Sequence, residues 1–169
     1  DLSAAVGFKN ATSGDVQVAI DAMQAAAHSH QRFAMDLQGR PIMQETAGNP
    51  HTHVVLRGGH GEPNYQAHHV RSAVNTLREA GQNPRLMVDC SHANARKDHR
   101  RQSEVMLDVL AQRQEGDANL VALMLESHLF EGKQTLAPNA LRYGVSVTDA
   151  CVSWETTERL LKTAAERIA

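Results

Sequence analysis

The sequence predicts an α/β fold built on a parallel β-sheet, and two observations carry that reading. Four short apolar runs, at residues 5–8, 53–56, 86–88 and 120–125, each end abruptly on polar residues. Each is followed, at once or after a loop, by a stretch whose apolar residues recur at helical spacing. Runs with no polar alternation mark strands buried on both faces, and strands that alternate with helices pair in parallel through right-handed crossovers.

In chain order, residues 5–8 form the first strand and end on Lys9 and Asn10. Ser13, Gly14 and Asp15 start a helix in which Val16, Ala19, Ile20 and Met23 share one face. The pattern then changes, and residues 32–37 and 41–46 flank Gln38-Gly39-Arg40 as a β-hairpin. The strand at 53–56 ends on Arg57, followed by Gly58 and Gly59, and leads to a helix carrying Val70, Ala73, Val74 and Leu77 and stopped by Gly81. The next strand runs into Asp89, Ser91 and His92, and the polar segment 96–101 reads as a solvated entrance to a helix bearing Met106, Val109 and Leu110. The strand at 120–125 ends on Glu126. A long loop then passes Asp149 and Cys151 before a closing helix with Leu161, Ala164, Ala165 and Ile168 on its buried face.

Composition narrows the function. The 169 residues are 41% hydrophobic and 21% charged, which suits one compact domain, and a net charge of -2 with both signs interspersed leaves no basic stripe for nucleic acid and no polybasic anchor for a membrane. The longest apolar run is too short to span a bilayer and the first residues carry no signal-peptide pattern, so a cytoplasmic protein is expected. Two cysteines, Cys90 and Cys151, lie inside motifs and fit a reducing compartment; Cys90 reads as a small core residue and Cys151 as an oxidisable one if exposed. A strand at the very start, without an initiating Met, implies residues upstream.

Parallel neighbours place Lys9, Arg57, His92 and Glu126 on one edge of the sheet, the carboxyl edge at which α/β enzymes keep their sites. Two cations on rigid strands suit a phosphate or carboxylate, Arg57 through a planar fork and Lys9 as a point charge. His92, Glu126 and Asp149 form a mixed nitrogen and oxygen set suited to a divalent transition metal, although no helical metal motif is present. Two alternatives stand beside this. Lys9 and Arg57 pair with Glu126 or Asp149 in a purely structural layer, or Asp149 simply starts the last helix. His28, His30, His51, His53, His68 and His69 read as surface or satisfied residues.

Six motifs, Gly7-Phe8-Lys9-Asn10, Leu56-Arg57-Gly58-Gly59, Glu62-Pro63-Asn64-Tyr65, Asp89-Cys90-Ser91-His92-Ala93-Asn94, Glu126-Ser127-His128-Leu129 and Thr148-Asp149-Ala150-Cys151, run through the chain in order. Together they resemble the microbial class I 3-deoxy-D-arabino-heptulosonate 7-phosphate (DAHP) synthases, the phospho-2-dehydro-3-deoxyheptonate aldolases. The resemblance implies a (β/α)8 TIM barrel of which residues 1–169 are the C-terminal half, strands five to eight, with the hairpin at about 32–46 as an insertion of feedback-regulated members. It implies condensation of phosphoenolpyruvate with erythrose 4-phosphate, the first step of the shikimate pathway.

By the same resemblance Lys9, Arg57 and His92 are catalytic, Lys9, Arg57 and Asp149 contact substrate, and His92, Glu126 and Asp149 ligate a divalent Mn, Fe, Co or Zn ion. Ser3 and the hairpin are expected at a site for an aromatic amino-acid effector, and a homo-oligomer is expected. The family's fourth metal ligand, a cysteine after the first barrel strand, and its Lys-Pro-Arg-Thr motif for the aldose phosphate are not in this sequence. The isolated segment is therefore expected to be inactive. Two other readings are a 3-deoxy-D-manno-octulosonate 8-phosphate synthase, against which the hairpin and the context of Asp149 argue, and a non-catalytic half-barrel that binds only anion, metal or effector.

Overall fold

The computed structural model of the chain describes residues 4–137 and 139–168. Four parallel strands, β1 (Val6–Lys9), β4 (Thr52–Leu56), β5 (Leu86–Asp89) and β6 (Leu120–Met124), lie side by side in sequence order. Between β1 and β4 the chain forms helix α1 (Gln17–Ala27) and an antiparallel pair, β2 (His30–Met35) with β3 (Pro41–Thr46). Helix α2 (Ala67–Glu79) links β4 to β5, and α3 (Gln102–Gln114) links β5 to β6. Two short strands, β7 (Ser127–His128) and β8 (Val152–Ser153), pair in parallel just before the closing helix α4 (Trp154–Ile168).

The two faces of the sheet differ, because alternate residues of a strand point to opposite sides. Val54, Leu56, Leu86, Val88 and Leu120 pack with Ile20, Met23, Val70, Leu77, Met106, Val109 and Leu160 in one core, so all four helices bury their apolar stripes against the same side. A fully buried Leu or Ile contributes roughly 1.5–3 kcal/mol, and this layer is the main source of stability. The opposite face carries Gly7, Lys9, His53, Val55, Arg57, Met87, Asp89, Ala122 and Met124, as the register pairs Gly7 with His53, Lys9 with Val55, Val55 with Met87 and Asp89 with Met124. A Cβ on Gly7 would lie 2.6 Å from Val55 and 2.8 Å from the His53 ring, which shows how tightly this second face is packed at its lower end.

Most predicted helix faces are present as expected, including Ala19, Ile20 and Met23 on α1 and Val70, Ala73, Val74 and Leu77 on α2. Gly81 ends the latter with a positive φ of 68°. Helix α4 departs from the expectation. It buries Thr157 and Leu160, while Leu161 and Ile168 are 52% and 62% exposed. Both stripes are apolar at helical spacing, and the one set by Leu160 and Ala164 reaches the core. His53 also departs, because its Nε2 is buried without a hydrogen-bond partner rather than satisfied, and burial lowers the ring's pKa. No helix among the described residues is long and apolar enough to cross a membrane.

The α4 assignment yields a direct contrast. In the protein that carries this segment, Leu160→Ala is expected to destabilise by about 2–5 kcal/mol and Leu161→Ala by about 0.5 kcal/mol, measured by urea unfolding. Equal losses would place the helix in the other rotation.

Candidate functional site

The carboxyl ends of the four parallel strands bring Lys9, Arg57, His92 and Glu126 to a common edge. Continued past the strand ends, the register sets Arg57 level with Asp89 and Ser91 level with Glu126, so the polar residues climb the sheet in two-residue steps and stay on the face away from the helices. A cleft of about 480 Å³ opens there, lined by Arg57, Gly58, Ser91, His92, Glu126 and Asp149 and also by Lys97, His99 and Lys133. Lys9 is not among the lining residues; it is tied to the cleft through Asp89.

His92 owes its position to a turn of unusual backbone. Its φ is 51°, a left-handed conformation that costs a non-glycine residue free energy, and two backbone bonds hold it: Ala95 N–H donates to Ser91 O at 3.1 Å and Lys97 N–H to His92 O at 2.8 Å. The ring then presents Nε2 to Glu126 Oε1 at 3.7 Å and Asp149 Oδ2 at 3.9 Å. One donor atom from each of the three residues lies within 4.8 Å of the others. Divalent metals bind such atoms at about 2.0–2.2 Å, so a modest contraction of this nitrogen and two-oxygen set would enclose an ion and leave part of its coordination sphere open. Burial raises the pKa of Glu126; His92 opposes the shift, and the carboxylates of Asp149 and Asp89 add to it. Two acidic groups facing one another in a partly desolvated cleft are what a bound cation would relieve, so the residues present fit a metal.

Arg57 is held from below by a buried amide network. Asn10 Oδ1 accepts from Arg57 N–H at 2.8 Å, and Asn10 Nδ2 donates to Gly58 O at 2.9 Å. Gly58 N–H donates to Asn64 Oδ1 at 2.7 Å, Asn64 N–H donates to Asn94 Oδ1 at 2.8 Å, and Asn94 Nδ2 donates to Leu56 O at 3.1 Å and Asp89 O at 2.8 Å. Three side chains from three loops thus fix the backbone on both sides of Arg57, as buried polar groups require partners. Among the described residues its guanidinium makes no ion pair, which leaves it available to an anion.

The structure alters several expectations. Lys9 pairs with Asp89 at 2.6 Å, not with Glu126 or Asp149, so the structural salt-bridge layer holds for Lys9 alone and through a different partner. Asp149 does not start a helix, since α4 begins at Trp154 after β8. Cys90 is fully buried, its thiol pushed up to about 12 by burial, and Cys151 is 8% exposed with its thiol likewise raised by burial. Within the polar segment at 96–101, Lys97 and His99 line the cleft instead of only solvating a helix entrance. Ser3 lies outside the described residues. Asn10, Asn64 and Asn94 stand in the sequence only as members of motifs, and their shared structural role emerges from the fold.

At the carboxyl edge of this parallel α/β sheet, an arginine with no ion pair among the described residues lies beside a metal-fitting triad, an arrangement suited to anionic ligands. Residues 1–162 match the DAHP synthetase I family, and the chain belongs to that family. A Tyr-sensitive phospho-2-dehydro-3-deoxyheptonate aldolase of Salmonella typhimurium is 47% identical over 163 residues, covering 95% of this chain and 46% of that protein. The Trp-sensitive aldolase of Escherichia coli is 42% identical over 168 residues, covering 99% of this chain and 48% of its own length. A solved phospho-2-dehydro-3-deoxyheptonate aldolase from Francisella tularensis superimposes with a TM-score of 0.90 at 41% identity, over 99% of this chain and 49% of that one. The chain therefore spans about half the length of these relatives.

The amide network yields a prediction. Gly58 has a φ of 78°, and a Cβ there would lie 2.6 Å from Ala93 Cβ and 2.7 Å from Glu62 O. Gly58→Ala is expected to cost about 1–3 kcal/mol of stability, read as a shift in the urea midpoint, and to weaken anion binding at the adjacent Arg57. A variant as stable as the parent would mean that the loop relaxes freely.

Proposed function

We propose that the chain is the C-terminal half of a (β/α)8 barrel, and that the whole protein condenses phosphoenolpyruvate with erythrose 4-phosphate to give DAHP and phosphate. The observation that carries this reading is the convergence of His92, Glu126 and Asp149 beside Arg57, whose guanidinium has no ion pair among the described residues, at one sheet edge. Family membership and the relatives' names support it. Within the half-barrel, residues 1–169 form one unit, and the hairpin of β2 and β3 is an insertion carrying exposed Phe33, Met35 and Met43. The Tyr-sensitive and Trp-sensitive relatives support an aromatic amino-acid effector bound beside that hairpin and Ser3. A homo-oligomer in the cytoplasm completes the reading.

In this account Arg57 binds the phosphate or carboxylate of phosphoenolpyruvate through its guanidinium fork, and Lys9 supplies the second cation. Both are fixed before substrate arrives, Arg57 by the asparagine network and Lys9 by Asp89. In the condensation the enol carbon bonds to the aldehyde carbon, whose oxygen takes up a proton; water adds to the phosphate-bearing carbon left electron-poor and gives up its protons as the carbon–oxygen bond to phosphate breaks and the ketone forms. The two preorganised cations stabilise the negative charge of the carboxylate and of the departing phosphate. The Lewis-acid polarisation of a substrate carbonyl is the chemistry a divalent ion supplies when bound at His92, Glu126 and Asp149. Asp149, the most exposed of the three, also reaches the substrate side of the cleft.

The test is phosphate release with manganese and both substrates, on the full-length protein and on the 169-residue chain alone. Full-length protein is expected to turn over, with Arg57→Ala lowering kcat/KM by about a hundredfold or more. The isolated chain is expected to be inactive, because it supplies neither the family's fourth metal ligand nor its aldose-phosphate motif. No turnover by the full-length protein, or turnover by the chain alone, would overturn the reading.

A further inference from the structure

We infer that Asp89 is a positioning residue that serves the metal triad and the anion site at once, by fixing the tautomer of His92 and the location of the Lys9 ammonium. The inference rests on the proposed roles of His92 and Lys9 and adds a residue and a coupling to them. Asp89 is fully buried, and every polar contact of its carboxylate is local to the site. Oδ1 accepts from Ser91 N–H at 2.9 Å and lies 2.6 Å from Ser91 Oγ. Oδ2 lies 2.6 Å from Lys9 Nζ and 3.0 Å from His92 Nδ1. Ser91 Oγ is itself 2.6 Å from His92 Nδ1.

Counting protons decides the arrangement. A carboxylate paired with a lysine can only accept, so the single hydroxyl proton of Ser91 goes to Asp89 Oδ1. Ser91 Oγ then offers His92 a lone pair, as does Asp89 Oδ2, and the ring proton must sit on Nδ1. The lone pair of the imidazole is thereby left on Nε2, the atom that faces Glu126 and Asp149. One buried oxygen thus faces both the ammonium of Lys9 and the ring of His92. An acceptor behind a ligating histidine orients the ring and raises its basicity. Here the same acceptor also holds a cation of the neighbouring anion site, so a change at Asp89 is felt at both.

Ser91 Oγ touches Asp89 Oδ1 and His92 Nδ1 but not Lys9, which pairs with Oδ2, and that separates positioning of the ring from positioning of the ammonium. In the full-length protein, manganese affinity and the phosphoenolpyruvate affinity of the metal-free form are measured by titration calorimetry, with circular dichroism to check folding. Asp89→Asn is expected to weaken manganese binding by about 10–100-fold and to weaken phosphoenolpyruvate binding as well. Ser91→Ala is expected to weaken manganese binding by about tenfold and to leave phosphoenolpyruvate binding within about twofold of the parent. If Asp89→Asn does not fold, the Ser91→Ala split alone is decisive. The proposal is overturned if Asp89→Asn leaves either affinity within about twofold of the parent, or if Ser91→Ala leaves manganese binding unchanged. Failure of the underlying functional reading looks different. The parent would then bind neither manganese nor phosphoenolpyruvate, or His92→Ala would keep full manganese affinity, and the proposal would fall with it.

Discussion

Everything at this site depends on the in-register parallel pairing of β1, β4, β5 and β6. Parallel strands carry their carboxyl ends to one edge, and a stagger of two residues from strand to strand keeps each successive polar residue on the same face. A slip of one residue in any pair would turn Lys9, Arg57 or Asp89 into the helix layer, where Leu56, Leu86 and Val88 are fully or almost fully buried. The hydrophobic core on one side therefore holds the chemistry on the other. The pairing of β5 with β6 shifts between Leu86 and Met87, and the register that results sets Asp89 beside Met124 and leaves Glu126 to emerge at the level of Ser91.

Above the strand ends, rigidity passes from the sheet ladder to side chains. Asn10, Asn64 and Asn94 replace the ladder around Arg57, and Asp89 with Ser91 does so around His92. The groups they hold are those whose geometry a ligand must meet without rearrangement. The left-handed turn at His92 is the cost of redirecting the chain just past β5 so that the imidazole, not the backbone, reaches the cleft. Asp89 sits at the centre of this arrangement. Burial works against its ionised form, but the hydrogen bonds from Lys9 and Ser91 outweigh burial and hold its pKa below the ordinary carboxylate value.

Much of this was legible in the chain. Apolar runs ending on Lys9, Arg57, His92 and Glu126 foretold the common edge, because strand parity and parallel pairing are properties of local pattern. The partner of Lys9 was not legible, since Asp89 is 80 residues away and the choice among three nearby acids depends on which side chain lies one register step above. The rotation of α4 was ambiguous for a related reason: Leu160 and Leu161 begin overlapping apolar stripes, and only tertiary contact selects one. The unsatisfied burial of His53 was not legible, because alternation is invisible in a strand that is apolar on both faces. Asn10, Asn64 and Asn94 close an amide network that no spacing rule describes.

On the proposed reading, one sheet edge holds a metal triad and an anion site as adjacent parts of a single centre. A crystal structure of the full-length protein with manganese and phosphoenolpyruvate, recorded to bring out the anomalous signal of manganese, tests it most directly. One anomalous peak is expected about 2.0–2.3 Å from His92 Nε2 and from an oxygen of each of Glu126 and Asp149, with the phosphoenolpyruvate phosphate or carboxylate on the Arg57 fork. An anomalous peak elsewhere, or phosphoenolpyruvate bound away from Arg57, would contradict it.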